Sequence, residues 1–366
     1  MLRRKLLAHL SAAAWGLAGV STARKSLAAQ VTPRPLQFPR DLGSHPNHAI
    51  EWWYITGYAT AEQALYGFQI TFFRSRVPGT QHLRSKLAAK QVFMAHAALT
   101  DLAGQQLHSD QRLVRAAKGD LSGGLEQARA SLEDTRVQCG AWSLQRQAGR
   151  YLSDVQTQDF GLQLSFTPTQ PRLLQGTQGW SRKGPQSHEA SYYYSEPQLQ
   201  VQGRLRVGPR WLDVQGDARA WLDHEWSQHL MPAQAVGWDW IGFNLNQGAA
   251  LTAFRLRDAS GQSVWAGGSF RSAQGVFTNF APTEVHFTPQ RTWRSPSTGA
   301  AYPVSWTVDT PMGRYVVEAL MDAQELDSRR TGLVYWEGLS ELRSPQGQVL
   351  GKGYLEMTGY AGALKL

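Results

Sequence analysis

The segment Trp221-Leu222-Asp223-His224-Glu225-Trp226 sets two carboxyl groups and an imidazole between two indoles. Shortly after it, Gly237-Trp238-Asp239-Trp240 holds another acid between indoles. Acids alternating with large aromatics suit the lining of a cavity better than a solvated face. On a strand, Trp221, Asp223 and Glu225 share one face, and Leu222, His224 and Trp226 share the other. Two acids on a partly dry face cannot both ionise cheaply, so one keeps its proton near neutral pH, as a general acid must. The alternative makes both acids structural, accepting hydrogen bonds from backbone N–H groups or from Arg204, Arg206 and Arg219 at a domain junction.

Aromatic residues supply the other half of a mechanism. Trp52, Trp53, Tyr54, Tyr192, Tyr193, Tyr194, Trp221, Trp238 and Trp240 cluster in the same stretches as the acids. Because a π face attracts positive charge, an acid with aromatic walls suits protonation of an alkene and shelter of the cation until water adds. Most of these rings are expected in the core, with a few lining a cavity.

Other chemistries lack their motifs. There is no GxSxG elbow and no Walker loop, and Gly351-Lys352-Gly353 lacks the third glycine of a dinucleotide fingerprint. His224 and His229 are five residues apart, one more than a helical zinc-protease pair requires. A dispersed metal site drawn from His48, Glu51, His96, Asp101, His224 or Glu225 is a lesser expectation, since isolated histidines are usually structural. The single cysteine, Cys139, excludes a disulfide framework.

These residues need elements to hold them. The 366 residues are enough for two domains, and 14 Trp with 35 Gly in short aromatic runs point to β structure. His48–Tyr58 and Tyr66–Arg74 read as a hairpin, and Gln91–Asp101 as a strand buried on both faces. Residues 31–47 read as a proline-punctuated connecting arm, Leu125–Leu132 as a helical turn or two, and 170–190 as a long loop. Ser191–Pro197 and Leu199–Val207 resume the strand pattern, which the later half repeats.

Two internal matches suggest duplication. A shift of 186 lays Trp52 on Trp238, Tyr54 on Trp240, Ile55 on Ile241, Leu65 on Leu251, Phe68 on Phe254 and Ile70 on Leu256. A shift of 133 lays Trp221-Leu222-Asp223 on Tyr354-Leu355-Glu356. Two barrels or sandwiches divided near residues 215–235 follow, a closed barrel leaving an interior cavity.

The N-terminus reads as an export signal. Arg3-Arg4-Lys5 precedes an apolar stretch, Leu6 to Val20, too short to span a bilayer comfortably, and Ser26-Leu27-Ala28 offers small residues for cleavage. The paired arginines are similar to a twin-arginine signal. Without the five basic residues of this region the net charge falls from +9 to +4, with no dense basic run, which argues against nucleic acid as a partner.

Taken together, the motifs carry a family resemblance. They are His48-x-x-Glu51-Trp52-Trp53-Tyr54-x-x-Gly57, Ala95-His96-x-Ala98-x-Thr100-Asp101, Tyr194-Ser195-x-Pro197 and Trp221-x-Asp223-His224-Glu225-Trp226. Gly237-Trp238-Asp239-Trp240, Tyr335-Trp336-Glu337-Gly338 and Gly353-Tyr354-x-Glu356-x-Thr358-Gly359-Tyr360 complete the set. In this order they resemble the AttH-like family, which includes carotenoid 1,2-hydratase (hydroxyneurosporene synthase) and many members described as secreted hydrolases. The resemblance spans about residues 40–366 and implies two lipocalin-like β-barrels. In the hydratase branch it implies cofactor-free addition of water to a terminal carotenoid double bond. The proton donor proposed there falls on Asp223, and the aromatic two residues earlier, typically Tyr, is Trp221 here. A further aromatic of that branch falls near Tyr192–Tyr194.

The expectation is an all-β protein of two lipocalin-like antiparallel β-barrel domains, residues 36–220 and 221–366, behind a signal at 1–29. Asp223, Trp221 and Glu225 are the expected catalytic residues, with Tyr192, Tyr194, Trp52, Tyr54, Trp238 and Trp240 binding the ligand. That ligand is an apolar isoprenoid or lipid, with no cofactor and no metal. The expected location is the periplasm or the medium, with peripheral membrane or transporter association. A non-catalytic lipid carrier or chaperone is the alternative function, and a secreted hydrolase the third.

Overall fold

The computed structural model describes residues 31–85, 88–116, 128–328 and 333–363. The expected signal at 1–29 lies outside them, and no helix among the described residues is long and apolar enough to cross a membrane.

β1 (Ile50–Ala61) and β2 (Ala64–Arg76) form the expected hairpin. Glu62 and Gln63 turn it with φ of 47° and 66°, the left-handed values that a two-residue turn between twisted strands requires. β3 (Gln91–Asp101) and β4 (Gln106–Ala116) extend the meander. β5 (Ala128–Ala130), β6 (Arg136–Cys139), β7 (Trp142–Gln147), β8 (Arg150–Gln156) and β9 (Phe160–Thr167) follow as short antiparallel strands. The helical turn expected over Leu125–Leu132 is not found in its described part: Ala128 and Ala130 are buried with period two, on a strand.

The expected loop at 170–190 is likewise structured. It carries β10 (Leu173–Leu174) and β11 (Trp180–Arg182), which pair with the long β12 (Ala190–Val207), as does β13 (Arg210–Asp213). β14 (Gln215–Ser227) inserts between β1 and β12, giving the order β4-β3-β2-β1-β14-β12-β9-β8-β7-β6-β5. This sheet curls into a nearly closed barrel. The boundary expected between residues 220 and 221 therefore falls inside a strand, and the chain changes sheet only between Ser227 and Gly237.

The second sheet starts with β15 (Gly237–Leu245), β16 (Ala250–Arg257), β17 (Ser263–Arg271) and β18 (Phe277–Phe280). After β19 (His286–Pro289), a separate pair is formed by β20 (Thr292–Arg294) and β21 (Ala301–Pro303). β22 (Ser305–Thr310), β23 (Gly313–Ala319), β24 (Glu325–Ser328), β25 (Leu333–Arg343) and β26 (Val349–Thr358) complete it. Its order, β18-β17-β16-β15-β26-β25-β23-β22-β19, repeats that of the first sheet from β4 to β12.

The duplication is real in topology but not at every residue paired by the ungapped shift. Tyr54 faces Thr71 across the first hairpin, whereas Trp240 faces Phe254 across the second, which is three residues shorter between these pairs. Phe254 therefore corresponds to Thr71 and Leu256 to Phe73. Phe68 and Ile70 point instead into the first barrel.

That barrel holds a packed core rather than the expected interior cavity. Ile55, Phe68, Leu99, Trp142 and Phe166 fill it and are fully buried. Residues 31–47 do more than connect, because Leu36, Leu42 and His45 are buried and the His45 ring stacks on Trp226 at 3.7 Å. A second core surrounds Ile241, Phe243, Trp306 and Leu355. Between the sheets lies a third cluster, with Tyr54, Trp221, Trp240, Leu339 and Tyr354. The approach is so close that a Cβ at Gly67 would stand 2.7 Å from the Tyr354 hydroxyl.

Candidate active site

β14 is fixed from its barrel side by a buried polar hub. Glu51 of β1 accepts hydrogen bonds from Arg74 Nε at 2.8 Å, Ser44 Oγ at 2.7 Å and the His45 backbone N–H, and meets His224 Nε2 at 3.0 Å. Burial opposes the charge on Glu51, but the Arg74 guanidinium and the two imidazoles hold its carboxyl well below the usual range. Burial lowers His224 to about 4, so it is neutral near pH 7. His45, Glu51 and His224 converge closely enough for a metal ion, but Arg74 already supplies the positive charge. Both imidazoles are also fully engaged, His45 by Glu51 and Asp41, and His224 by Glu51 and Tyr194. The cluster is a structural hub. His48, His96, Asp101 and Glu225 lie outside it.

The other face of β14 looks away from the barrel, into a cavity between the two sheets. Counting the solvent at its open mouth, the cavity has about 830 Å³ of empty space. Strict alternation explains the placement. Leu222, His224 and Trp226 join the barrel core or its hub, while Asp223 and Glu225 line the cavity, flanked by Trp52 and Tyr54 of β1. Trp221 shares their face but is closed off in the contact between sheets, against Trp240.

Asp223 is surrounded by neutral donors. Tyr193 Oη donates to its Oδ2 at 2.9 Å; Ser195 Oγ and Trp221 Nε1 donate to its Oδ1 at 2.5 and 2.7 Å. Burial outweighs these bonds and raises its pKa to about 7. Glu225 pairs with Lys183 Nζ at 2.9 Å, and this ammonium also lies 5.2 Å from the centre of the Trp52 ring. None of the arginines considered as partners reaches these acids: Arg204 bonds Gln163, Arg206 bonds backbone carbonyls near residues 157–160, and Arg219 pairs with Asp217.

Of the ligand-binding residues expected from the sequence, Trp52, Tyr54, Trp238 and Trp240 line the cavity. Tyr192 and Tyr194 do not. Tyr193 opposes Glu225 across the β12–β14 ladder and Ser195 opposes Asp223, so the tyrosines on either side of Tyr193 point into the barrel. There Tyr192 bonds the Thr32 carbonyl and Tyr194 meets His224. Asp239 also faces away, held by Arg255 at 2.8 Å, Arg257 at 3.3 Å and the Tyr360 hydroxyl.

Polar side chains at or beside the cavity that escaped the sequence assignment include Lys183, Tyr193, Ser195, Glu337 and Glu356. Tyr193 was hidden by uncertainty in strand parity, and Lys183 by a segment without periodicity. Ser195 and Glu337 sit inside motifs that mark the family, where position alone does not reveal the facing residue. Glu337 and Glu356 are cross-strand partners on β25 and β26 and line the wall opposite Asp223. Burial and the proximity of Glu356 push the Glu337 pKa well up, and burial raises Glu356 to about 7.

The profile of the AttH-like family matches residues 29–360. The crystal structure of an AttH candidate from Nitrosomonas europaea is similar at 42% identity and a TM-score of 0.83, covering 91% of this chain and 99% of that one. Kievitone hydratase from Nectria haematococca shares the fold at 14% identity and a TM-score of 0.69, covering 90% of this chain and 94% of its own. CghA in complex with Sch210972 does so at 14% identity and a TM-score of 0.56, with coverage of 91% and 96%. A comparison with curated protein sequences finds no match. The architecture is lipocalin-like, and the chain belongs to the AttH-like family.

Proposed function

We propose that the protein is a cofactor-free hydratase acting on an apolar, unsaturated ligand of isoprenoid or lipid type in the cavity between its sheets. One observation carries the reading: Asp223 is buried among aromatic walls, meets three neutral donors and has no cationic partner among the described residues. Burial keeps the proton on the carboxyl at rest. The donors from Tyr193, Ser195 and Trp221 then stabilise the carboxylate left behind, so the site favours the conjugate base only as it forms. The O–H bond of Asp223 breaks as a C–H bond forms on the alkene, and the resulting cation is faced by Trp52, Tyr54 and Trp240. Water adds to the cationic carbon. Its proton passes to Glu225, the carboxylate on the same face paired with Lys183.

Membership of the AttH-like family and a fold shared with a hydratase fit this reading. A carrier whose acids were locked in arginine pairs would look different, since Asp223 meets none. Export by the twin-arginine route, with action in the periplasm or outside the cell, is part of the proposal and rests on the N-terminal sequence.

Native mass spectrometry of protein purified from its own compartment identifies the retained ligand. That ligand, incubated with wild type in heavy-oxygen water, is expected to gain one labelled hydroxyl, and Asp223→Asn to bind it without labelling. Labelling by the Asn variant at the wild-type rate defeats the assignment of Asp223. Binding without labelling by either protein makes this a carrier.

A further inference from the structure

The cavity wall contributed by the second sheet is harder to explain than the Asp223 wall. Glu337 and Glu356 stand directly opposite each other on neighbouring strands, an arrangement that destabilises a sheet when both are charged. No lysine or arginine pairs with either among the described residues. Glu337 is 2% exposed and faces the cavity, with the neutral Tyr54 and Tyr335 hydroxyls beside its carboxyl but no hydrogen bond of good geometry to either oxygen. Natural structures rarely leave such a group orphaned unless a ligand completes it. The Tyr54 hydroxyl is likewise buried beside this carboxyl without a well-formed hydrogen bond.

The groups facing the pair are few and mostly neutral. Tyr54 comes from β1, Asp223 and the Lys183-paired Glu225 from β14, and Tyr335, Tyr354 and the Trp238 indole from the second sheet. His96 of β3 bonds the Tyr335 hydroxyl at 3.0 Å and is held neutral by burial. Lys183, the ammonium lining the cavity, is committed to Glu225 and Ser227. The surrounding surface is aromatic, with Trp238, Trp240 and Phe254 nearest on the second sheet.

We infer that Glu337 and Glu356 form a cation subsite, which binds the protonated or quaternary amine of an otherwise apolar ligand between carboxylate and aromatic rings. Such a group supplies the missing charge for Glu337, removes the cross-strand repulsion and faces π surfaces that favour it. The inference uses the same cavity as the hydratase reading but does not depend on water addition. An ammonium and a carbocation present the same charge to the same walls, so both can hold.

The test compares decyltrimethylammonium with decan-1-ol, each below its micellar concentration, by isothermal titration with tryptophan fluorescence as a second readout. Wild type is expected to bind the ammonium at least about tenfold more tightly than the alcohol. Because a carboxyl must release its proton to solvent before it can pair with the bound cation, that preference should grow from about pH 6 to about pH 8. In Glu337→Gln/Glu356→Gln the alcohol should bind as in wild type and the preference should vanish. If the double variant does not fold by circular dichroism, Glu356→Gln alone should lower the preference about fivefold. Asp223→Asn should retain it, although that variant is the one expected to lose hydration. Equal binding of both probes by wild type, a preference independent of pH, or a preference that survives loss of both glutamates overturns the inference.

Discussion

Ser195 opposite Asp223 in the first sheet, and Glu337 opposite Glu356 in the second, occupy equivalent positions of a duplicated arrangement. In the first, the neighbour is a hydroxyl that donates to the acid at 2.5 Å; in the second, it is another acid, which cannot donate when ionised. Tyr193 and Tyr335 are equivalent as well, but Tyr193 bonds Asp223 while Tyr335 bonds His96. The same strand pattern thus built two walls of one cavity and equipped them differently. One wall surrounds its buried acid with three neutral donors, and the other sets two buried acids side by side. The back faces differ too: β14 is braced by the Glu51–Arg74–His224 hub, whereas β26 packs Leu355 and Met357 into an apolar core.

The contrast is broken most severely at Asp223. Asp223→Asn is expected to lower turnover of the retained ligand by about 10²–10⁴-fold with little change in its affinity. In wild type the rate should fall as pH rises through about 7, where the acid loses its proton. A rate that rises through that range would mean that Asp223 acts as a base. The hub behind the same strand is tested by Arg74→Met, which leaves Glu51 buried without its strongest partner. A loss of about 3–5 kcal/mol is expected in urea denaturation, and a loss below about 1 kcal/mol would show that the histidines alone hold the acid.

A smaller effect should separate the second wall from the first. Glu337 and Glu356 have folded pKa values above their unfolded ones, so the native state binds more protons above about 4.5, for Glu356 up to about 7. Their contribution is therefore fully present below the unfolded value and is lost as pH rises through the folded one. Relative to wild type, Glu337→Gln/Glu356→Gln should gain on the order of 1–2 kcal/mol between about pH 5 and about pH 8. A flat difference in denaturation midpoint across that range would show that the pair does not titrate with folding. The smallest effect distinguishes the tyrosines. Tyr193→Phe should slow turnover about fivefold to tenfold, while Tyr192→Phe and Tyr194→Phe leave it within about twofold and cost about 1 kcal/mol of stability each. Equal loss of rate in all three would mean that β12 does not keep its strand parity around the bound ligand.

Much of this was readable from the chain. Alternation along Trp221–Trp226 placed Asp223 and Glu225 together, and the echo at Tyr354-Leu355-Glu356 marked the equivalent strand of the second half, though not that it faces them. The hairpin repeat correctly paired Trp52 with Trp238 and Tyr54 with Trp240, but failed past the turn, where the two hairpins differ in length. Tyr192 and Tyr194 were misassigned because three successive tyrosines carry no period, so only pairing with β14 could decide their faces.

The residues alone determined the β class, the duplicated order of motifs and the faces of β14, because side-chain alternation and aromatic patterning are properties of a single strand. Tertiary structure alone decided that the acids of β14 look outward between two sheets rather than inward into a barrel. It also brought Lys183 to Glu225 and set Glu337 beside Glu356 with no cation paired to either among the described residues. A strand's sequence states which side chains share a face, but what that face meets depends on contacts between residues more than a hundred positions apart, such as Gln69 with Tyr335 and Thr100 with Gln324.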